Sequence, residues 1–173
     1  MAKKEESHIC EEQLFRSLYE QHAKPLHDFL YYKFGEEVHA KDKVQDAFVT
    51  LWNNCKKVSL AKAKSYLFTV ANNFALNEMK HKKVVLKYKN IKPQSVTHQN
   101  PQFLLEEKQY LDRYQKALAM LGEEQRVAFM LNKVEGKSHQ EIADLLGVTK
   151  KVVEYRIYSA LKQLKLNLDD FSI

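Results

Sequence analysis

The chain has 173 residues, 45% of them hydrophobic, with 28 Lys and Arg against 22 Asp and Glu for a formal net charge of +6. That hydrophobic fraction supports a packed core and excludes wholesale disorder, and no run approaches the roughly 18 consecutive apolar residues of a membrane-spanning helix. Four Gly and three Pro are too few for the many tight turns of a sheet-rich fold, so long helices are expected.

The charges of residues 1–7 precede no apolar run, which argues against a secretory signal. Cys10 and Cys55 lack CxxC spacing and are expected as reduced thiols of a cytoplasmic protein. Leu14, Leu18, His22 (or Tyr19), Leu26 and Leu30 recur at three- and four-residue spacing, which predicts an amphipathic helix over 11–34 ended by Gly35. A second helix is expected over 39–53, with Val44, Ala47, Phe48 and Leu51 inward. Its other side carries Asp42, Gln45, Asp46 and Val49, with Trp52 at the edge. Such a polar, acidic face is by default solvated, and with an aromatic rim it also suits docking on another protein's helices. A third helix is expected over 61–82, with Leu67, Val70, Ala71 and Phe74 buried. Tyr66, Asn73 and Asn77 lie within about 40° of one another on it. An aromatic and two amides in one row can stack on and hydrogen-bond an unpaired base, although Asn is also common on helix surfaces.

Between Lys80 and Lys92 stand six Lys and no acid, a pattern of a solvated surface or linker, and less often of a phosphate-binding tract. Residues 92–101 lack apolar periodicity and hold two of the three prolines. They predict a flexible linker. The expected organisation is an all-α chain of two small helical domains, 9–88 and 104–168, joined by a linker over 89–103. The second domain is expected to hold helices over 103–120, 123–132, 138–146 and 150–166.

The sharpest local pattern is Ser138 to Ile157. Ser138 and Glu141 form a capping box, Gly147 offers the left-handed turn between helices, and Thr149 caps the next helix. Ile142, Leu145, Leu146, Val148, Val153 and Ile157 are spaced to seal the angle between the two, the pattern of a DNA-binding helix-turn-helix. Lys151, Tyr155, Tyr158, Ser159 and Lys162 are expected to point outward, flanked by Lys150, Val152, Glu154 and Arg156. Side chains of this kind can read a major groove. Lys137, Ser138 and His139 open the preceding helix, where backbone N–H groups can hold a phosphate. No catalytic spacing such as H-E-x-x-H, G-x-S-x-G or a P-loop occurs. The seven His are scattered, so no enzyme activity, metal, cofactor or small-molecule substrate is expected.

The block Asp42-Lys-Val44-Gln45-Asp46-Ala47-Phe48-Val-Thr-Leu51-Trp52, followed by Ser65-Tyr66-Leu67-Phe68-Thr69-Val70-Ala71-Asn72-Asn73-Phe74, resembles region 2 of bacterial sigma-70 family factors of the extracytoplasmic-function (ECF) group. The helix-turn-helix resembles their region 4.2, and the likeness spans about residues 11–166. It implies an RNA polymerase sigma factor that binds core polymerase and directs initiation at promoters with −35 and −10 elements, melting the latter. By this resemblance Asp42, Gln45, Asp46, Val49 and Trp52 dock on the β′ clamp helices, while the second domain meets the β flap. Asn73 matches the residue that holds a flipped base of the −10 non-template strand, and the segment of about 55–64 matches the loop that shapes its pocket. Tyr66 stands where Trp is usual. Lys80, His81, Lys82 and Lys83 stand where Arg is frequent, so charge attraction remains without bidentate pairing. In the recognition helix Thr149, Val152, Val153 and Arg156 follow the family pattern with mild changes. Glu154 replaces Lys and Ser159 replaces Arg, so the −35 sequence cannot be carried over from relatives; Lys151, Tyr155 and Lys162 are expected to carry much of the contact. The family further implies an anti-sigma factor, commonly membrane-bound. A conventional helix-turn-helix regulator, with 9–88 as a sensor or dimerisation domain, is the rival reading. It predicts duplex binding without polymerase at a two-fold symmetric site.

Overall fold

The computed structural model of the chain describes residues 9–79 and 101–168. Lys80, Lys82, Lys83 and nearly all of the expected linker lie outside them. The described residues contain seven α-helices and fall into two compact units, drawn from residues 1–83 and 84–173.

In the first unit α1 runs Glu12–Phe34, α2 Ala40–Asn53 and α3 Leu60–Glu78. All three pack on one another. Gly35 stops α1, its backbone at φ 77 and its N–H donating to the Tyr31 carbonyl. The chain then makes a short 3₁₀ turn over Glu36–Val38 that periodicity does not announce. His39 sits in the left-handed region (φ 47) as the residue before α2. That conformation is uncommon outside glycine, though His tolerates it better than most residues. Pro25 lies inside α1. Its ring nitrogen cannot donate the usual helical hydrogen bond, and the long helix tolerates the loss because Leu18, Leu26 and Leu30 hold its inner face in the core.

Val44, Ala47, Phe48 and Leu51 are buried on α2 as spacing predicts. On α3 the expected inner stripe is rotated. The buried residues are Ala63, Leu67, Ala71 and Ala75, while Val70 and Phe74 are only half-buried. Three of those four are alanines, so α3 meets its neighbours largely through methyl groups. The larger Phe68 instead reaches sideways onto Phe29 of α1, ring centroids 5.3 Å apart. Lys43 on α2 bonds Glu78 at the last turn of α3 (2.8 Å). This ties the last turn of α3, which ends at Glu78; the part of the expected helix from residue 80 to 82 lies outside the described residues.

The cysteines overturn an expectation. Cys10 and Cys55 are joined by a disulfide, because α1 and α2 bring the start of one helix beside the end of the other. Forty-five residues of sequence separation become a Cα–Cα distance of 5.1 Å. CxxC spacing describes local pairs and says nothing about such a bridge.

In the second unit α4 runs Pro101–Met120, α5 Glu123–Lys133, α6 His139–Leu146 and α7 Lys150–Asn167. The helix expected from 103 thus begins two residues earlier, at Pro101, a residue suited to a first helical position. Val127, Ala128, Phe129, Met130 and Leu131 are all buried on α5, making it the centre of the unit. Arg126 is buried with them at 3% exposure. Its Nη1 donates to the Leu121 carbonyl (3.1 Å), so the charged head ties the α4–α5 turn from inside. Burial holds its guanidinium below the usual range, with Glu123 acting against that shift.

Candidate nucleic-acid interface

The helix-turn-helix is built as its capping residues dictate. The Ser138 hydroxyl accepts from the Glu141 N–H (3.2 Å), and the Glu141 carboxylate accepts from the Ser138 N–H (2.7 Å). Those bonds hold the Glu141 carboxyl below its ordinary range. Gly147 closes α6 in the left-handed conformation (φ 67, ψ 34), and the Val148 N–H reaches the Ala143 carbonyl. Thr149 Oγ1 accepts from the Val152 N–H (3.4 Å) to open α7. Ile142, Val153 and Ile157 are buried in the angle between the helices, while Leu145, Leu146 and Val148 are half-buried at its margin.

On the opposite side of α7, Lys150, Lys151, Val152, Glu154, Tyr155, Tyr158 and Lys162 are exposed. Tyr155 and Tyr158 are bare at 71% and 69%. Two large phenols so exposed on a firmly packed helix find no packing role within the unit. Glu154 lies 3.7 Å from His139 Nδ1 and 3.8 Å from Lys150 Nζ, so its carboxylate sits beside the first residue of α6 and the lysine that opens α7. Lys137 and His139 are half-buried beside Ser138, which is exposed.

Two residues do not face outward with this row. Arg156 donates to Glu124 on α5 (2.6 Å), and its side chain is only 16% exposed. The Ser159 hydroxyl accepts from Gln125 Nε2 (2.8 Å). The 100° step puts both at the border of the inner face, where α5 supplies polar partners. Glu124 and Gln125 thereby fix the rotation of α7 about its axis. Periodicity could not single them out, since their partners lie 32 and 34 positions away.

In the first unit Asp42, Gln45, Asp46, Val49 and Trp52 all lie exposed along one side of α2. Val49 and Trp52 are 59% and 44% exposed. Trp52 leans edge-on against Phe15 of α1 (4.9 Å between centroids), and Tyr19 of α1 packs on Phe48 (4.9 Å). The face therefore combines two carboxylates with an aromatic margin shared by two helices. On α3 Asn73 and Asn77 are exposed, whereas Tyr66 is half-buried against the core. The neighbouring Asn72 buries its Oδ1 without a hydrogen-bond partner.

Comparison with known proteins decides the family. Residues 18–84 match sigma-70 region 2 and residues 111–164 match sigma-70 region 4. The chain belongs to the sigma-70 family. It is similar along its whole length to the ECF RNA polymerase sigma factor SigL of Mycobacterium tuberculosis, at 27% identity over 179 residues covering 100% of this chain and 99% of that one. A shorter likeness, 38% over 61 residues, joins 35% of this chain to 36% of the positive control factor of Bacillus subtilis. Among solved structures, CnrH in complex with the cytosolic domain of CnrY matches with a TM-score of 0.56 at 22% identity, covering 94% of this chain and 92% of that one. RpoE of Bartonella quintana, crystallised with the anti-sigma factor NepR, matches at 0.51 and 21% over 91% and 98%. These two establish the same all-helical fold. The chain is thus an ECF-type RNA polymerase sigma factor that directs transcription initiation, in a family of transcription regulators. No helix among its described residues is long and apolar enough to cross a membrane.

Proposed function

We propose that the chain works in the cytoplasm by joining core RNA polymerase to promoter DNA through three separate helix faces. The exposed side of α2, Asp42, Gln45, Asp46, Val49 and Trp52, docks on the β′ clamp helices, and the second unit meets the β flap. The row Tyr66, Asn73 and Asn77 on α3 receives an unstacked base of the −10 element, with Lys80, Lys82 and Lys83 drawing in the strand by charge. The outward side of α7, Lys150, Lys151, Val152, Glu154, Tyr155, Tyr158 and Lys162, lies in the major groove of the −35 element. Lys137, Ser138 and His139 hold a phosphate at the start of α6. Arg156 and Ser159, through Glu124 and Gln125, set the angle at which α7 enters the groove. The working units are 9–88 and 104–168, joined by the linker 89–103. An anti-sigma factor covers these faces when the protein is held inactive, as NepR is crystallised with RpoE.

The observation that carries this reading is the pairing of a capped helix-turn-helix whose outer side leaves two phenols bare with an acidic, aromatic-edged helix face on the other unit. A regulator that dimerises through residues 9–88 would turn that face to a second copy of itself, and would then bind duplex DNA without polymerase. Run-off transcription with core polymerase on genomic fragments, with and without the protein, tests it. Specific transcripts are expected only when both are present. A chain that binds duplex DNA alone at a symmetric site, and leaves core polymerase unbound, overturns it.

A further inference from the structure

The Cys10–Cys55 bond lies where two elements of the proposed polymerase-docking face meet. Cys10 precedes α1, whose N-cap residue, Glu11, makes no side-chain capping hydrogen bond. The first turn of that helix carries Phe15, the ring on which Trp52 leans. Cys55 lies just past the Asn54 C-cap of α2, three residues beyond Trp52, with its N–H donating to the Trp52 carbonyl (3.1 Å). The bridge thus closes the corner that Phe15 and Trp52 form, and it anchors an otherwise uncapped helix start. Ile9, next to Cys10, is fully buried in the core of the unit.

Both cysteines are only half-buried, so a small thiol can reach the bond. Solvent access favours exchange with the thiol pool, whereas fully buried disulfides are locked against it. Their neighbours differ. Exposed Lys56 and Lys57 follow Cys55, while exposed Glu11 and Glu12 follow Cys10. Positive charge favours a thiolate and negative charge opposes it, which makes Cys55 the better leaving group.

We propose that Cys10–Cys55 is a reversible thiol–disulfide site, reduced by a low-molecular-weight thiol, whose bridged state strengthens docking of the α1–α2 face on core polymerase. The inference rests on the reading of that face given above. In the reduction a first small thiolate attacks Cys10 Sγ, forming a mixed disulfide and expelling Cys55 as a thiolate. A second attacks the outer sulfur of the mixed disulfide, frees Cys10 and departs as the symmetrical small-molecule disulfide. Each cysteine then gains a proton, and two electrons have passed from the two small thiols to the bridge. Reoxidation by the symmetrical disulfide runs the same steps backward. Release of the bridge leaves the uncapped first turn of α1 held only by packing, through Ile9 and Phe15, so the corner of Phe15 and Trp52 is less firmly fixed.

The full chain, equilibrated in mixtures of reduced and oxidised glutathione, tests this. Alkylation followed by mass measurement reads the bridged fraction, and fluorescence anisotropy reads the affinity of each form for core polymerase without DNA. The bridged form is expected to bind at least about fivefold more tightly, and bound polymerase to protect the bridge from reduction by the same factor, since such coupling is reciprocal. A Cys10→Ser, Cys55→Ser double variant is expected to bind like the reduced chain and ignore the couple. Where that variant loses its helices by circular dichroism, the comparison of the two wild-type forms decides alone. A bridge that never forms, or never yields to excess thiol, overturns the proposal. Equal binding of the two forms overturns it and leaves the docking face standing. Failure of both forms to bind polymerase overturns the proposal and the docking reading together.

Discussion

Tyr155 and Tyr158 show how single residues separate packing from the proposed recognition of DNA. Each lies within a helix that commits Val153, Ile157, Ala160 and Leu164 to the core, yet both rings stay in solvent. Replacing Lys151, Tyr155 and Lys162 together by Ala is expected to abolish −35-dependent transcription while leaving helicity and core-polymerase binding intact. Removing the two lysines is expected to lower the salt slope of promoter binding by about 0.9 log units for each phosphate no longer neutralised; a titration of binding against salt reads it. Titration also matters at this scale. Burial, with Lys64 nearby, holds His22 below its ordinary value of 6.5, so the unfolded chain takes up a proton that the folded chain resists. Stability is therefore full above about pH 6.5 and declines as the pH falls from there toward the folded value. Burial alone raises the Asp28 carboxyl, but hydrogen bonds from His27 and Lys24 outweigh it and hold the group below its ordinary 3.8. Its contribution is present above about pH 4 and is lost as the pH falls through the folded value. Urea midpoints across this range are expected to show both steps, and His22→Gln to flatten only the upper one.

Among the helices, legibility followed the location of the cause. Capping is local, so the start of α6 at Ser138, its end at Gly147 and the start of α7 at Thr149 can be read from single residues. The rotation of α3 was not legible. Val70 and Phe74 have the larger apolar side chains, but the side of α3 that packs against α1 and α2 is the alanine side. Arg156 and Ser159 were misaimed for a similar reason, since polar partners on α5 attract side chains that the 100° step leaves at a border. Ser138→Ala is expected to cost about 1 kcal/mol through loss of the cap, measured as a lowered denaturation midpoint of the full chain. Leu67→Ala, in the centre of α3, is expected to cost about 2–5 kcal/mol in the same measurement.

For the molecule as a whole, the family was legible because two independent helix patterns occur in a fixed order along the chain, and helix periodicity places motif residues on faces. The disulfide was not, because nothing in the spacing of Cys10 and Cys55 encodes the packing that joins them. Closing a loop of this length restricts the unfolded chain, so reduction is expected to lower the stability of the α1–α3 unit by about 4 kcal/mol. Thermal unfolding with and without a small thiol reads the difference. Net charge was a poor guide by its size, since Arg156 and Arg126 are engaged within their own unit, and the useful signal lay in which cations stay exposed.

The alanine side of α3 sets the distance between the proposed base-receiving row and the rest of its unit. Ala63, Ala71 and Ala75 are buried there, and small side chains at a helix contact permit the closer of the usual axis separations, about 8 Å. Tyr66, Asn73 and Asn77 are carried on the same rigid rod, so their height above the unit is gauged by the absence of side-chain volume beneath them. A single larger residue on that underside, such as Ala71→Leu, lifts the whole row without altering any member of it. Promoter preference in such a protein can thus drift through residues that never see DNA, by a change of thickness rather than of chemistry.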